Sequence, residues 1–209
     1  GMYITMTDTS IIEMAAYAGY DFVRIDCEHY LYSAETLANM IGMANAMGLA
    51  VHIRVGSINE ITRVLEAGAD GVIVPHVSAK ETAVKAVNAV KFSPIGERGM
   101  YNGYRCLKYG GVDQLDYIRS ANSSVLLTVQ IEDREALDHI DDILSVSGID
   151  MVSSGKSDLS QSLGHIGQAN HPEVLAAEDY IAKKAIAHGI YPSFLTSSPD
   201  RIAYLQSLG

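Results

Sequence analysis

The sequence predicts an α/β fold of repeated βα units with a parallel sheet, and three observations support that prediction. Short apolar runs rich in β-branched residues alternate with longer segments whose apolar residues recur every three to four positions. Gly19, Gly48 and Gly68 stand where the predicted helices should stop. Several of the apolar runs also end in a charged or amide side chain, where a loop should follow the strand.

Seven strands are predicted in chain order, with helices in the gaps between them. The strands cover residues 3–6, 21–26, 49–54, 71–75, 125–131, 149–154 and 190–195. Ser10 and Glu13 have the capping-box spacing for a first helix, and residues 79–90 have helical period. Residues 93–111 are rich in Gly, Tyr and Arg without a clean period, which predicts a long loop. No Pro-rich linker divides the chain, so we expect a single domain over residues 1–209.

The composition fits a globular protein that binds a small molecule. The chain has 209 residues, of which 48% are hydrophobic, and this is enough apolar material for a sizeable core. A formal net charge of −10 without a cluster of Lys or Arg argues against a nucleic-acid partner. No apolar run approaches the roughly 20 residues of a membrane span, and Cys27 and Cys106 are too few for a disulfide framework. We therefore expect a cytoplasmic protein without a membrane partner.

Polar side chains stand at the carboxyl ends of four predicted strands. They are Asp26 and His29 after the second strand, Arg54 on the third, Gln130 and Glu132 on the fifth, and Asp158 after the sixth. In a (β/α) barrel every parallel strand brings its carboxyl end to the same rim, so residues distant in sequence converge there. This placement predicts one active site built from several strands.

Two carboxylates and an amide in this set suit a divalent metal ion. Glu132, Asp158 and Gln130 offer the oxygen ligands that Mg²⁺ or Mn²⁺ prefers, whereas zinc is a weaker hypothesis. The alternative is structural, because a strand-end glutamate also forms salt bridges at a rim or caps a helix. Both interpretations stay open on these residues alone.

The basic residues of the set have two interpretations as well. Arg54 suits holding a carboxylate or a developing oxyanion, and its alternative is a surface ion pair. His29 with Asp26 suits proton transfer near neutral pH, and the alternative is a structural histidine.

Five segments together resemble one known enzyme family. They are DFVRIDCEH, INEITRVLEAGADGVIVPHV, SPIGERG, VQIEDREAL and GIDMVSSGKSDLSQSLGHIGQANHPEV. In this order, over residues 3–209, they are similar to the metal-dependent class II pyruvate aldolases of the HpcH/HpaI family, which act on 4-hydroxy-2-oxoheptanedioate and 2-dehydro-3-deoxy acids. The resemblance implies a TIM (β/α)8 barrel of the phosphoenolpyruvate/pyruvate superfamily, assembled as a homo-oligomer, a hexamer. It also implies reversible cleavage of a 4-hydroxy-2-oxo acid to pyruvate and an aldehyde.

The resemblance assigns the metal and the enolate to particular residues. Glu132 and Asp158 match the family's metal-binding carboxylates, and Gln130 matches the amide beside them. Arg54 matches the arginine that contacts the pyruvate carbonyl oxygen. The implied cofactor is Mg²⁺ or Mn²⁺, with Co²⁺ as a further option, and it would stabilise a pyruvate enolate. No Schiff-base lysine is then required.

The resemblance also assigns proton transfer and substrate contacts. His29 with Asp26 matches the pair that moves the proton of the 4-hydroxyl group. Tyr3 aligns with an aromatic residue that lines the pocket in some relatives. Gly155 and Ser157 belong to a segment whose backbone N–H groups would bind the pyruvate carboxylate at the start of a helix.

The sequence departs from the family's pattern at several positions. Lys156 follows Gly155 where the family commonly has proline, which puts the carboxylate pocket in doubt. Glu66 stands where many members have aspartate, and His76 replaces a frequent methionine, so each is a candidate for aldehyde selection or for plain packing. We expect Cys27 to be inert, and Glu28 to hold its loop through hydrogen bonds.

The family continues with an eighth strand beyond the segment SSPDRIAYLQSLG, and only seven strands are predicted for this sequence. A seven-stranded barrel would have an open edge that needs cover. Two alternatives to the aldolase therefore stay open. One is a related lyase acting on a CoA thioester or another oxo acid, which would need a nucleotide-binding surface. The other is a catalytically impaired binding or assembly subunit, which would fail to bind Mg²⁺, Mn²⁺ or Co²⁺.

Overall fold

The computed structural model describes residues 1–208 and confirms the alternation of strands and helices. The strands are β1 Met2–Ile4, β2 Phe22–Asp26, β3 Ala50–Arg54, β4 Gly71–Val74, β5 Leu126–Ile131, β6 Met151–Ser154 and β7 Tyr191–Pro192. Each lies within a predicted strand or within one residue of it. The last is much shorter than the predicted 190–195, although the Ser193 N–H beyond it still donates to the Val152 carbonyl oxygen of β6 at 2.8 Å.

Ten α-helices connect or follow the strands in residues 1–208. They are α1 Ser10–Tyr17, α2 Ala34–Ala46, α3 Ile61–Glu66, α4 Lys80–Val90, α5 Gln114–Ser124, α6 Arg134–Asp138, α7 Ile140–Leu144, α8 Lys156–Ser162, α9 Pro172–Ala187 and α10 Pro199–Ser207. Short 3₁₀ turns cover Ile58–Glu60 and Arg105–Gly110, the second at the end of the predicted loop. The capping box predicted at Ser10 is not formed, because Thr9 is the N-cap residue of α1 and the Ser10 N–H bonds to the Asp8 side chain.

The chain divides into two compact units. The first comprises Gly1–Val74 and Ala86–Leu126, and in it β1, β2, β3 and β4 pair in parallel in chain order. The second comprises Pro75–Lys85 and the chain from Leu127 onward, and in it β5, β6 and β7 pair in parallel. The single domain expected over residues 1–209 stays a prediction.

Strand register gives the first unit one polar and one apolar sheet face. Tyr3 lies beside Arg24 and Asp26 lies beside Arg54, so these side chains share a face. The residues that alternate with them are apolar and buried, and they are Ile4, Val23, Ile25, Val51 and Ile53. A hydrophobic core on one face therefore holds a row of polar groups in place on the other.

The second unit repeats this alternation. Gln130 pairs with Ser153 and Thr128 with Met151, which places three polar residues on one face. Val129 and Val152 lie beside each other on the other face and are fully buried. Among residues 1–208, no helix is both long enough and apolar enough to cross a membrane.

Candidate active site

The first unit holds a hydrogen-bonded network centred on Arg54. Because Asp26 and Arg54 are register partners on β2 and β3, their side chains meet. Arg54 donates from Nε to Asp26 Oδ1 at 2.8 Å and from Nη2 to Asp26 Oδ2 at 2.6 Å, which is a bidentate pair. Glu28 lies on the far side, with its Oε2 3.2 Å from Arg54 Nη1. The guanidinium plane is therefore fixed by two carboxylates.

Tyr3 joins the same network through its hydroxyl group. The Tyr3 O–H donates to Asp26, and Arg54 Nη2 donates to the Tyr3 oxygen at 3.2 Å. Burial raises the pKa of Tyr3 above its ordinary value, and the hydrogen bond to Asp26 raises it further. Tyr3 thus stays protonated and orients the Asp26–Arg54 pair.

Asp26 is fully buried, yet its neighbours keep it ionised. Burial by itself raises the pKa of Asp26, but hydrogen bonds from Arg54 and Tyr3 outweigh this and lower it to about 2. For Arg54, burial lowers the pKa, and the hydrogen bond to Asp26 reverses that and raises it above its ordinary value. Asp26 is consequently a fixed anion rather than a group that takes up a proton near neutral pH.

The structure pairs Asp26 with Arg54 rather than with His29, in contrast to the pair expected from sequence. The Asp26 carboxylate accepts from Arg54, Tyr3 and the Glu28 N–H. His29 lies in the loop after β2 with Nε2 3.8 Å from the Glu28 carboxylate, and its side chain is 55% exposed. The physical reason is register: a residue on the adjacent strand reaches Asp26 more directly than a residue three positions further along a turning loop.

The second unit holds a buried carboxylate with three close neighbours. Glu132 follows β5 and is 1% exposed. The Gln130 amide donates to Glu132 Oε2. The His76 N–H donates to Glu132 Oε1 at 2.6 Å, and His76 Nδ1 lies 2.9 Å from the same oxygen. Gly155 completes the group, since a Cβ at this position would collide with the Glu132 carboxylate and the Gln130 amide.

The backbone N–H of Gly155 makes a different contact from the expected one. Its N–H was expected to bind a substrate carboxylate, but it donates to the Ile131 carbonyl oxygen at 3.3 Å. The contribution of Gly155 is instead its missing side chain, which lets the Glu132 carboxylate and the Gln130 amide pack against its backbone. Asp158 lies half-buried in the first turn of α8, and Ser157 is exposed there. The roles predicted for Ser157 and Asp158 stay predictions.

Comparisons with known proteins concern nearly the whole chain. The family model described as HpcH/HpaI aldolase/citrate lyase matches residues 1–207. The chain belongs to the HpcH/HpaI aldolase/citrate lyase family. It is 35% identical over 203 residues to a 2-keto-3-deoxy-L-rhamnonate aldolase of Escherichia coli strain K12, covering 96% of this chain and 75% of that protein. A relative of the same name from Shigella sonnei is 34% identical with the same coverage.

Two solved structures share the fold of this chain. The structure titled citrate synthase SbnG is 36% identical with a TM-score of 0.91, covering 100% of this chain and 82% of that one. An HpcH/HpaI aldolase from Desulfitobacterium hafniense DCB-2 is 28% identical with a TM-score of 0.92, covering 99% and 81%. The relatives make this chain a lyase with small-molecule substrates.

HpcH/HpaI aldolases generally use a divalent metal ion, and the residues of the second unit fit one. Glu132 offers a buried carboxylate, and the Gln130 amide lies beside its Oε2. The Thr128 and Ser153 hydroxyls on the same strand face are buried without a hydrogen-bond partner among the residues described. Buried hydroxyl groups of this kind suit water or a small polar ligand.

The structure shows the surroundings of three further residues of the family motifs, which are Cys27, His76 and Glu28. Burial raises the pKa of the Cys27 thiol to about 12, so Cys27 is not a nucleophile near neutral pH. Sequence reasoning missed the contacts of His76 with Glu132 and of Glu28 with Arg54. The signal for His76 was its position directly after the Val74–Pro75 strand end, which is the same signal that singled out Glu132.

Proposed function

We propose that the chain is a class II pyruvate-dependent aldolase that reversibly cleaves a 4-hydroxy-2-oxo acid into pyruvate and an aldehyde. The observation that carries the proposal is the buried Glu132 carboxylate, which the Gln130 amide and the His76 N–H hold in one orientation. Similarity to the 2-keto-3-deoxy-L-rhamnonate aldolases supports a 3-deoxy-2-oxo sugar acid as the substrate class.

Glu132 and Asp158 would hold the divalent ion, with the Gln130 amide fixing the orientation of the Glu132 carboxylate. Mg²⁺ and Mn²⁺ are the first choices, with Co²⁺ as the third. When bound, the ion supplies positive charge that stabilises an enolate oxygen.

The residues of the first unit supply the remaining chemistry. Arg54 would donate an N–H to the 2-oxo oxygen of the substrate, and Asp26 and Glu28 keep its guanidinium in one orientation for that purpose. His29 would take the proton of the 4-hydroxyl group in cleavage and return it in condensation. Asp26 serves in this scheme as the anion that orients Arg54, because its pKa of about 2 keeps it from accepting a proton.

The test is pyruvate release from 2-keto-3-deoxy-L-rhamnonate, followed by a coupled lactate dehydrogenase assay. We expect activity with Mg²⁺ or Mn²⁺, loss of activity with EDTA, and recovery on adding the metal back. Glu132→Gln should abolish pyruvate release, whereas Asp138→Asn, a charge-matched change at an exposed acid of α6, should leave it unchanged. A folded, metal-loaded wild type without activity on this and related 3-deoxy-2-oxo acids would contradict the proposal.

A second candidate function is carbon–carbon bond formation that yields citrate. The observation that favours it is the 36% identity to the structure titled citrate synthase SbnG. The two candidates separate in one experiment, because a synthase would consume oxaloacetate and acetyl-CoA and release free CoA, whereas the aldolase would not. Free CoA formation without pyruvate release from oxo sugar acids would favour the synthase.

The closed TIM barrel of the phosphoenolpyruvate/pyruvate superfamily and the hexameric assembly belong to this proposal as well. The parallel βα units and the similarity to HpcH/HpaI structures support the barrel. Light scattering coupled to gel filtration tests the assembly, with a hexamer of about six times 22.5 kDa expected.

A further inference from the structure

His76 holds an unusual backbone conformation beside Glu132. Its φ is 54°, in the left-handed region that non-glycine residues seldom adopt, although His, Asn and Asp do so more often than others. This conformation turns both the N–H and the imidazole of His76 towards Glu132 Oε1, at 2.6 Å and 2.9 Å. The His76 side chain is 60% exposed.

The spacing of the two side chains matches a shared metal ion. Protein nitrogen and oxygen ligands lie about 2.0–2.2 Å from most divalent transition ions. Two ligand atoms at these distances from one ion, with a right angle between the two bonds, are about 3 Å apart. His76 Nδ1 and Glu132 Oε1 are separated by 2.9 Å. Glu132 Oε2, by contrast, is held by the Gln130 amide.

We propose that His76 provides its Nδ1 as an additional protein ligand to the divalent ion held at Glu132. The inference rests on the proposed function only in taking Glu132 as a metal ligand. A nitrogen donor makes the ligand set less suited to Mg²⁺, which prefers oxygen ligands, and better suited to Mn²⁺, Co²⁺ and Zn²⁺. His76 thereby sets which metal the enzyme selects.

The protein contains a second histidine group that an experiment has to separate from His76. His165, His171 and Glu173 place ligand atoms within 4.8 Å of one another. The His165 and His171 rings stack with centroids 3.5 Å apart, and His165 Nε2 lies 2.7 Å from Glu173. Metal bound there would also show nitrogen ligation, so His165→Asn provides the background for the measurement.

The test is electron spin-echo spectroscopy of Mn²⁺ added to the full chain, which detects coordinated imidazole nitrogen. The variants are His76→Asn, Glu132→Gln and His165→Asn. Asparagine is matched to His76 because it also tolerates a positive φ, so the backbone N–H bond to Glu132 is preserved. Calorimetry of the same variants with Mg²⁺, Co²⁺ and Zn²⁺ gives the metal preference.

We expect the nitrogen signal in wild type and in His165→Asn, and its loss when His76→Asn is added to the His165→Asn background. The affinity for Co²⁺ and Zn²⁺ should fall about tenfold or more in His76→Asn, with the affinity for Mg²⁺ much less affected. If Glu132→Gln abolishes metal binding while His76→Asn in the His165→Asn background keeps the nitrogen signal, the role of His76 is refuted and the proposed function stands. If the wild type binds none of these ions, the metal-dependent function fails together with the inference.

Discussion

Asp26 and Glu28 fix the guanidinium of Arg54 from two sides, so its orientation exists before a substrate arrives. The bidentate pair with Asp26 depends on the planar fork of arginine, which lysine lacks. The positive charge alone is therefore insufficient for the role that we propose for this residue.

We predict that Arg54→Lys lowers kcat for pyruvate formation by about 10²–10³, the usual effect of removing one oriented donor to a developing oxyanion. Metal affinity, measured by calorimetry, should remain at the wild-type level because Arg54 is not a metal ligand in our proposal. Arg63→Lys, at an exposed arginine of α3, is the matched control and should keep full activity. Full activity of Arg54→Lys would refute the role of Arg54.

His52 gives a prediction for pH dependence. It lies on β3, is 6% exposed and stacks on Phe22 with ring centroids 5.2 Å apart. Burial lowers the pKa of His52 to about 4, with a smaller contribution from Arg24. Between about pH 6.5 and pH 4 the unfolded chain therefore binds a proton at His52 that the folded chain does not, so stability decreases as the pH falls.

The expected loss in the free energy of unfolding is about 3 kcal/mol across that pH window. Urea denaturation at several pH values measures it. His52→Phe, which can keep the stacking on Phe22, should remove most of this pH dependence, whereas His139→Gln at an exposed site should retain it. An unchanged slope in His52→Phe would show that other groups cause the dependence.

At the scale of elements, the junction from β6 to α8 lets the Glu132 carboxylate pack closely against the backbone. Gly155 occupies this junction, and its N–H is bonded to Ile131 of the neighbouring strand β5. The backbone is therefore held in place, and an added side chain has no room except at the position of the Glu132 carboxylate.

We predict that Gly155→Ala destabilises the protein by about 1–3 kcal/mol, as overpacking does, and displaces Glu132 so that metal affinity falls at least tenfold. Thermal unfolding and calorimetry measure the two effects. The matched control is Gly99→Ala, because a Cβ at Gly99 would meet nothing within 4 Å. Wild-type metal affinity in a folded Gly155→Ala variant would argue against a metal beside Glu132.

Element boundaries were largely predictable because hydrophobic period and helix-stop glycines are local signals. Two local features differ from the prediction. The seventh strand covers only Tyr191–Pro192, and the capping box at Ser10 is replaced by a bond from the Ser10 N–H to Asp8. Pairing within the site was less predictable, because it depends on strand register. Asp26 meets Arg54, which is 28 residues away, instead of the nearby His29.

At the scale of the whole molecule, the family and its fold followed from the order of several motifs rather than from any one residue. The strand-end rule placed polar residues at the carboxyl ends of β2, β3, β5 and β6, and in the structure each of them lies at the end of its strand or in the segment that follows it. That they form one site stays a prediction. The rule did not predict the contact of His76 with Glu132, because the position of His76 after β4 does not reveal the left-handed conformation that brings its N–H to the carboxylate. The acidic chain, with a net charge of −10, fits a metal cation as a ligand.

The central claim is that Glu132 and its metal ion stabilise a pyruvate enolate, and the exchange of the C3 protons of pyruvate in D₂O tests it most directly. NMR should show exchange by the wild type with saturating Mg²⁺, its arrest by EDTA, and its absence in Glu132→Gln. Asp138→Asn should exchange at the wild-type rate. A folded, metal-loaded wild type that does not exchange these protons, or exchange that persists in EDTA and in Glu132→Gln, would contradict the account.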